Sequence, residues 1–232
     1  MVVSSNIKSS SELECSGSNL SPTDIIDILG TEYGGFEHAR RIDPIEEVVY
    51  TILSQHTSDH NSTNAFEKLM RRYGTLKEVA SAEVSEIAET ISSGGLARIK
   101  APRIKTVLNL ILKKCGSLDI SFLSKLPLHE AKAWLRDLPG IGPKSAGVIL
   151  CFSLGMPAMA VDTHVYRVSK RLGLIGPRVN VEDAHEILEN MVSADQVYPF
   201  HAALITHGRR TCKARIPNCA QCKLAYNCPS RK

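Results

Sequence analysis

A chain of 232 residues, 43% hydrophobic and 22% charged, has the length for one large or two small folded domains and an ordinary globular composition. Collagen-like, mucin-like and wholly disordered readings are thereby excluded. No apolar run approaches the roughly 18 residues of a spanning helix and the N-terminus lacks the apolar core of a secretory signal, so a soluble, intracellular protein without membrane partners is expected. The net charge is only +4, yet residues 1–47 hold nine acids and three bases, residues 48–232 hold 15 acids and 25 bases, and from His207 onward there are seven bases and no acid. Such clustering suits a polyanion, although a solvated surface would carry the same charges.

In chain order, residues 1–20 are Ser-rich with few large apolar side chains and read as a flexible lead. Glu12 and Glu14, against Lys8 as the single base, argue against a transit peptide. Ser21-Pro22 places a cap and an N1 proline before Ile25, Ile26, Ile28 and Leu29. Asp43-Pro44-Ile45-Glu46 repeats that signal, with an acid three residues after the cap, before Val48, Val49, Ile52 and Leu53. The apolar spacing predicts further helices at 59–73, 83–92, 99–115, 128–137, 143–154, 163–172, 181–193 and 198–208. No period-two alternation competes with them and aromatic residues are only 5%, so the fold class is all-α, without a solenoid repeat.

Three segments carry chemistry. Leu138-Pro139-Gly140-Ile141-Gly142-Pro143-Lys144-Ser145 places a Gly-x-Gly turn between two helices, with Pro143 opening the second. Two glycines permit a tight turn and close backbone approach, and the N–H groups of the following helix face an anion. That gives a helix-hairpin-helix able to hold a phosphate, although an ordinary helix–helix turn can carry the same glycines. Lys144 adds weight, because the positive end of a helix dipole disfavours an ammonium and so can prepare a nucleophilic amine; a plain phosphate contact is the alternative. Next, Val161-Asp162-Thr163-His164 places Asp162 where an N-cap belongs. A carboxylate near Lys144 could equally stabilise a sugar oxocarbenium ion, and spacing leaves the choice open. His164 reads as a surface or hydrogen-bonded structural histidine.

The third is the run Cys212, Cys219, Cys222 and Cys228, four of the seven cysteines within 17 positions. Disulfides are out of place in a chain without a secretion signal, so four thiolates around a metal are expected. Zinc and a [4Fe–4S] cube both accept that set. Cys15 and Cys115 are scattered, and Cys151 on an apolar helix reads as a core residue.

Taken together and in this order, the hairpin string, Val161-Asp162-Thr163-His164, His207-Gly208-Arg209 and the four-cysteine spacing resemble the endonuclease III family of helix-hairpin-helix DNA glycosylases, over about residues 43–228. The resemblance implies a [4Fe–4S] cluster on Cys212, Cys219, Cys222 and Cys228. It also implies two lobes: a helical barrel over 37–155, and a cluster domain of 21–36 plus 156–232. Duplex DNA containing damaged bases or abasic sites would lie between them. By the same resemblance Lys144 attacks the sugar C1′, releases the base and forms a Schiff base that β-elimination resolves, and Asp162 is the assisting carboxylate. The implied protein is a monomeric, bifunctional glycosylase and lyase for oxidised or damaged pyrimidines, cytoplasmic and nucleoid-associated in a prokaryote.

The segment Leu53 to Asp59 resembles the family's gap-filling loop, with Gln55 or His56 as the filler, and Gly95 to Lys100 its wedge loop, with Leu96 as the intercalating side chain. Here the chain departs from the family. His56 stands where glutamine is common, and the wedge loop lacks the usual polar residues after its leucine. Further DNA contacts are expected from Gly140, Gly142, Ser145 and Arg209, and a phosphate track from Arg98, Lys100, Arg103, Lys105, Lys113 and Lys114. A monofunctional mismatch or uracil glycosylase of the same fold would typically lack Lys144. A non-enzymatic iron–sulfur DNA-binding module would need neither Lys144 nor Asp162. The chain ends four residues after Cys228, so no added C-terminal domain of the adenine-glycosylase kind is expected.

Overall fold

The computed structural model describes residues 20–37 and 42–231, and among these every regular element is helical. The expected lead falls on residues outside that range, apart from Leu20, which is already buried. Helix α1 (Pro22–Tyr33) begins with a reciprocal cap: the Ser21 hydroxyl accepts from the Asp24 amide, and the Asp24 carboxylate accepts from the Ser21 amide at 2.8 Å. Helix α2 (Pro44–Ser54) is capped by Asp43, whose carboxylate accepts from the Ile45 amide at 2.9 Å. Burial and the neighbouring Asp43 charge push the Glu46 carboxyl above its ordinary range.

Helix α3 (Asp59–Tyr73) follows as expected. Helix α4 (Leu76–Ser81) has no counterpart in the sequence reading, because six residues are too few to show a period. Its signal was a cap, Thr75, whose hydroxyl accepts from the Glu78 amide. Helix α5 (Val84–Thr90) leads through a short turn to α6 (Ala97–Cys115), which starts two residues earlier than its apolar spacing suggests and carries Pro102 inside it.

Helices α7 (Leu128–Arg136) and α8 (Pro143–Val148) flank the hairpin, and α8 runs on as a π-helical turn over Ile149–Ser153. Helices α9 (Thr163–Leu172), α10 (Val181–Glu189) and α11 (Val197–Arg210) complete the set, with α10 ending four residues sooner than its apolar spacing predicts. Helix α2 is central, packing on α3, α6 and α8, whereas α11 packs on α9 and on α1. Their buried aliphatic side chains form one continuous core. No described helix is long and apolar enough to cross a membrane.

Candidate active site and cysteine loop

The hairpin is anchored by Leu138 and Ile141, both buried, with the Ile141 amide donating to the Leu138 carbonyl at 3.1 Å. Gly140 sits at φ +83°, and a Cβ there would lie 2.4 Å from Arg103 Cδ, so the turn demands glycine on two counts. Gly140→Ala should lower stability by about 1–3 kcal/mol, which thermal unfolding would register as several degrees. An unchanged melting temperature would show that this loop relaxes freely. Gly142 caps α8 and Pro143 is its first residue. The amides of Lys144 and Ser145 in that first turn therefore have no intrahelical acceptor. Ser145 is buried, whereas Lys144 is exposed.

Close packing sets where Lys144 stands relative to Asp162. Gly147, on α8, approaches so tightly that a Cβ would lie 3.0 Å from the Ala160 Cα, two residues before Asp162. Asp162 caps α9, its Oδ1 accepting from the His164 amide at 2.8 Å and the Val165 amide at 2.7 Å. Lys144 and Asp162 line one cavity of about 370 Å³ with Glu47, Tyr50, Tyr198 and Arg209. Arg209 pairs with Asp59 at 3.1 Å, and both side chains are more than half exposed, so this ion pair adds little stability. His164 points elsewhere, its Nδ1 lying 3.2 Å from an Arg167 nitrogen.

Sequence reasoning missed Glu47, which is buried in the cavity wall. A signal was present: Glu47, Tyr50, Thr51 and Ser54 fall at i, i+3, i+4 and i+7, one face of α2, and all four line the cavity.

The two loops resembling gap-filling and wedge segments have a shared peculiarity. Among the described residues, His56 (φ +54°) and Leu96 (φ +51°) are the non-glycine residues in the left-handed region. For an L-residue that conformation costs roughly 1–2 kcal/mol. Both are exposed. Gln55 is occupied at both ends, its Nε2 donating to the Gly140 carbonyl and its Oε1 accepting from Arg103, each at 2.8 Å.

The expected phosphate track requires correction. Lys100 is 1% exposed, its Nζ donating to the Leu53 carbonyl at 2.6 Å and the Gly94 carbonyl at 2.9 Å, so it faces no phosphate. Burial also lowers its pKa. Arg103 is committed to Gln55, Lys105 donates to the Ala82 carbonyl, and Lys114 pairs with Asp137. Arg98, Lys113 and Lys114 remain exposed. The run had the right charges, but backbone carbonyls hold Lys100 and Lys105 and the Gln55 carboxamide holds Arg103.

Cys212, Cys219, Cys222 and Cys228 line a single cavity with His207 and Arg171. A tetrahedral zinc ion needs its thiolates about 2.3 Å from one point. Among the described residues no group of three or more Cys, His, Asp or Glu side chains closes in that way. Four thiols lining one space are a donor set for a metal ion or an iron–sulfur cluster alike.

Burial, with the neighbouring cysteines, pushes the Cys222 and Cys228 thiols up in the absence of metal charge. Two cationic or polar groups face the sulfurs: Arg171 lies 3.3 Å from Cys212 Sγ, and His207 Nε2 3.6 Å from Cys222 Sγ. Burial drops the His207 pKa to about 4, so its ring is neutral at pH 7. Its Nδ1 meets the Tyr33 hydroxyl at 2.9 Å, and that hydroxyl meets Thr211 at 2.8 Å. The consistent assignment has Tyr33 donating to Nδ1 and Nε2–H facing the sulfur. By contrast Cys151 is a core thiol, pushed up to about 12 by burial and the Glu189 charge.

Comparison with known proteins agrees with this geometry. The profile described as HhH-GPD superfamily base excision DNA repair protein matches residues 49–194. Endonuclease III of Thermotoga maritima is 34% identical over 189 residues, covering 82% of this chain and 84% of that protein. Endonuclease III of Escherichia coli strain K12 is 34% identical over 185 residues, covering 80% and 83%. A solved structure of a trapped endonuclease III–DNA covalent intermediate superposes with a TM-score of 0.77 at 28% identity, covering 91% of this chain and 97% of that one. With its hairpin, cleft and cysteine loop in one fold, the chain belongs to the HhH-GPD superfamily of base excision DNA repair proteins, in its endonuclease III family.

Proposed function

We propose that this endonuclease III relative is a bifunctional DNA glycosylase and abasic-site lyase that removes oxidised or damaged pyrimidines from duplex DNA, with Lys144 as nucleophile and Asp162 as its carboxylate partner. The observation that carries this reading is that an exposed lysine at the hairpin and a capping aspartate on α9 open onto one cavity. The neutral Lys144 amine attacks C1′ as the bond to the base breaks and the base leaves with a proton. The sugar ring then opens to a Schiff base, a C2′ proton is removed, the C3′–O bond breaks with the 3′ phosphate as leaving group, and water frees the lysine. Asp162 stabilises positive charge developing on the sugar, where a carboxylate in a partly enclosed cleft acts strongly.

Around that centre, the hairpin amides after Gly140 and Gly142, including that of Ser145, hold a phosphate, and Arg209 sits at the cavity rim. The loops bearing Gln55, His56 and Leu96 meet the duplex where a base is extruded, a step costing a few kcal/mol of stacking and pairing. Cys212, Cys219, Cys222 and Cys228 are the ligands of a [4Fe–4S] cluster. When bound, it cross-links the basic 212–228 loop into one shape, with Arg171 and His207 donating toward the sulfurs. The barrel over 37–155 and the cluster domain of 21–36 plus 156–232 are the two lobes of a monomer acting in the cytoplasm.

Borohydride trapping tests the reading on duplexes containing thymine glycol, uracil or a preformed abasic site, beside an undamaged control. A trapped adduct with thymine glycol is expected. An adduct with the abasic site alone would remove the assigned damage class. No adduct on any duplex would remove the lysine mechanism in favour of a monofunctional enzyme or a DNA-binding module.

A further inference from the structure

Lys100 is among the largest fully buried side chains of the molecule. A buried ammonium held by neutral carbonyls gives up hydration that only good geometry can offset, and methionine would fill a similar space without that loss. The two carbonyls it holds are informative. Leu53 lies at the C-terminal end of α2, three residues before His56, and Gly94 lies two residues before Leu96. The end of α2 favours a cation through its dipole, so the roots of both loops converge on one charged atom.

The tips match the roots. His56 and Leu96 are the two left-handed non-glycine positions among the described residues, so each loop turns sharply at an exposed side chain. Gln55 cannot leave its place without breaking hydrogen bonds to Gly140 and to Arg103, the second charge-assisted. His56 is exposed at the turn itself.

We propose that Lys100 is a positioning residue for base extrusion: its ammonium fixes the separation of the two loops, so that His56 and Leu96 enter the duplex as one wedge while Gln55 stays on the hairpin. This rests on the loop assignments of the proposed function. The consequence is specificity: the base left opposite the gap meets an imidazole, with one donor and one acceptor in its neutral form, rather than a carboxamide.

The test uses the intact protein at saturation and a duplex in which 2-aminopurine stands opposite a tetrahydrofuran abasic analogue, so that insertion is read by fluorescence without base release. Wild-type protein should raise the signal. Lys100→Met should keep duplex affinity within about threefold while losing most of the rise, with Lys100→Arg restoring it. His56→Ala should lose the rise and Gln55→Ala should keep it.

Equal loss of affinity and signal in Lys100→Met, or a full signal, would overturn the proposal, as would loss in Gln55→Ala with retention in His56→Ala. Should Lys100→Met not fold, the paired tips remain testable. The His56→Ala/Leu96→Ala double variant should be no more than about twofold worse than the worse single, and losses that multiply would overturn the wedge. A wild-type protein that forms the borohydride adduct without a fluorescence rise would end this inference alone, whereas absence of any adduct would end the reading beneath it.

Discussion

Lys144→Gln should abolish the borohydride-trapped adduct and cut strand scission at a preformed abasic site by at least about 1,000-fold, the scale of losing a covalent nucleophile. The substitution is clean because Lys144 is exposed in the first turn of α8, where packing is not disturbed. Removing a positive charge from a helix N-terminus is worth at most about 1 kcal/mol, and in the stabilising direction. Melting temperature and duplex affinity should therefore hold within narrow limits while chemistry disappears. Scission at the wild-type rate would transfer the nucleophile elsewhere.

Asp162 has two duties in one residue, and two substitutions separate them. Both cap bonds fall on Oδ1, from the His164 and Val165 amides. Asparagine caps about as well as aspartate, so Asp162→Asn should leave stability nearly unchanged, whereas Asp162→Ala should lose about 1 kcal/mol. Base release should fall in both by roughly 100- to 1,000-fold, because the lost quantity is a charge opposite a developing cation. Single-turnover rates and thermal unfolding on both proteins decide the matter. Normal base release by Asp162→Asn would leave the residue as a cap and nothing more.

Much of this was legible in the chain because the signals are local. Ser21-Pro22, Asp43-Pro44 and Gly142-Pro143 mark helix starts within three residues, and the structure places caps there. The hairpin, Asp162 at a helix start and the four cysteines around one cavity were visible for the same reason. What escaped depends on partners far away in sequence. Lys100 looked like a phosphate contact until the Leu53 carbonyl, 47 residues distant, took its charge inward. Glu47 lay in a capping pattern that explained its neighbour Glu46 and drew attention from the helix face it shares with Tyr50. Tyr33 and His207 are silent singly and meaningful only as a pair across 174 residues.

That last separation has a consequence in time. Among the described helices α1 is synthesised before the others, yet its hydrogen-bond partners His207 and Thr211 and its packing partner α11 follow more than 160 residues later. At synthesis rates of roughly 5–20 residues per second the first helix waits about 10–35 s for the surface that covers it. The α2 to α8 segment, in which α2 packs on α3, α6 and α8, can settle meanwhile. Of the described helices α1 is therefore the last to be seated, once α11 and the cysteine loop beyond it have emerged.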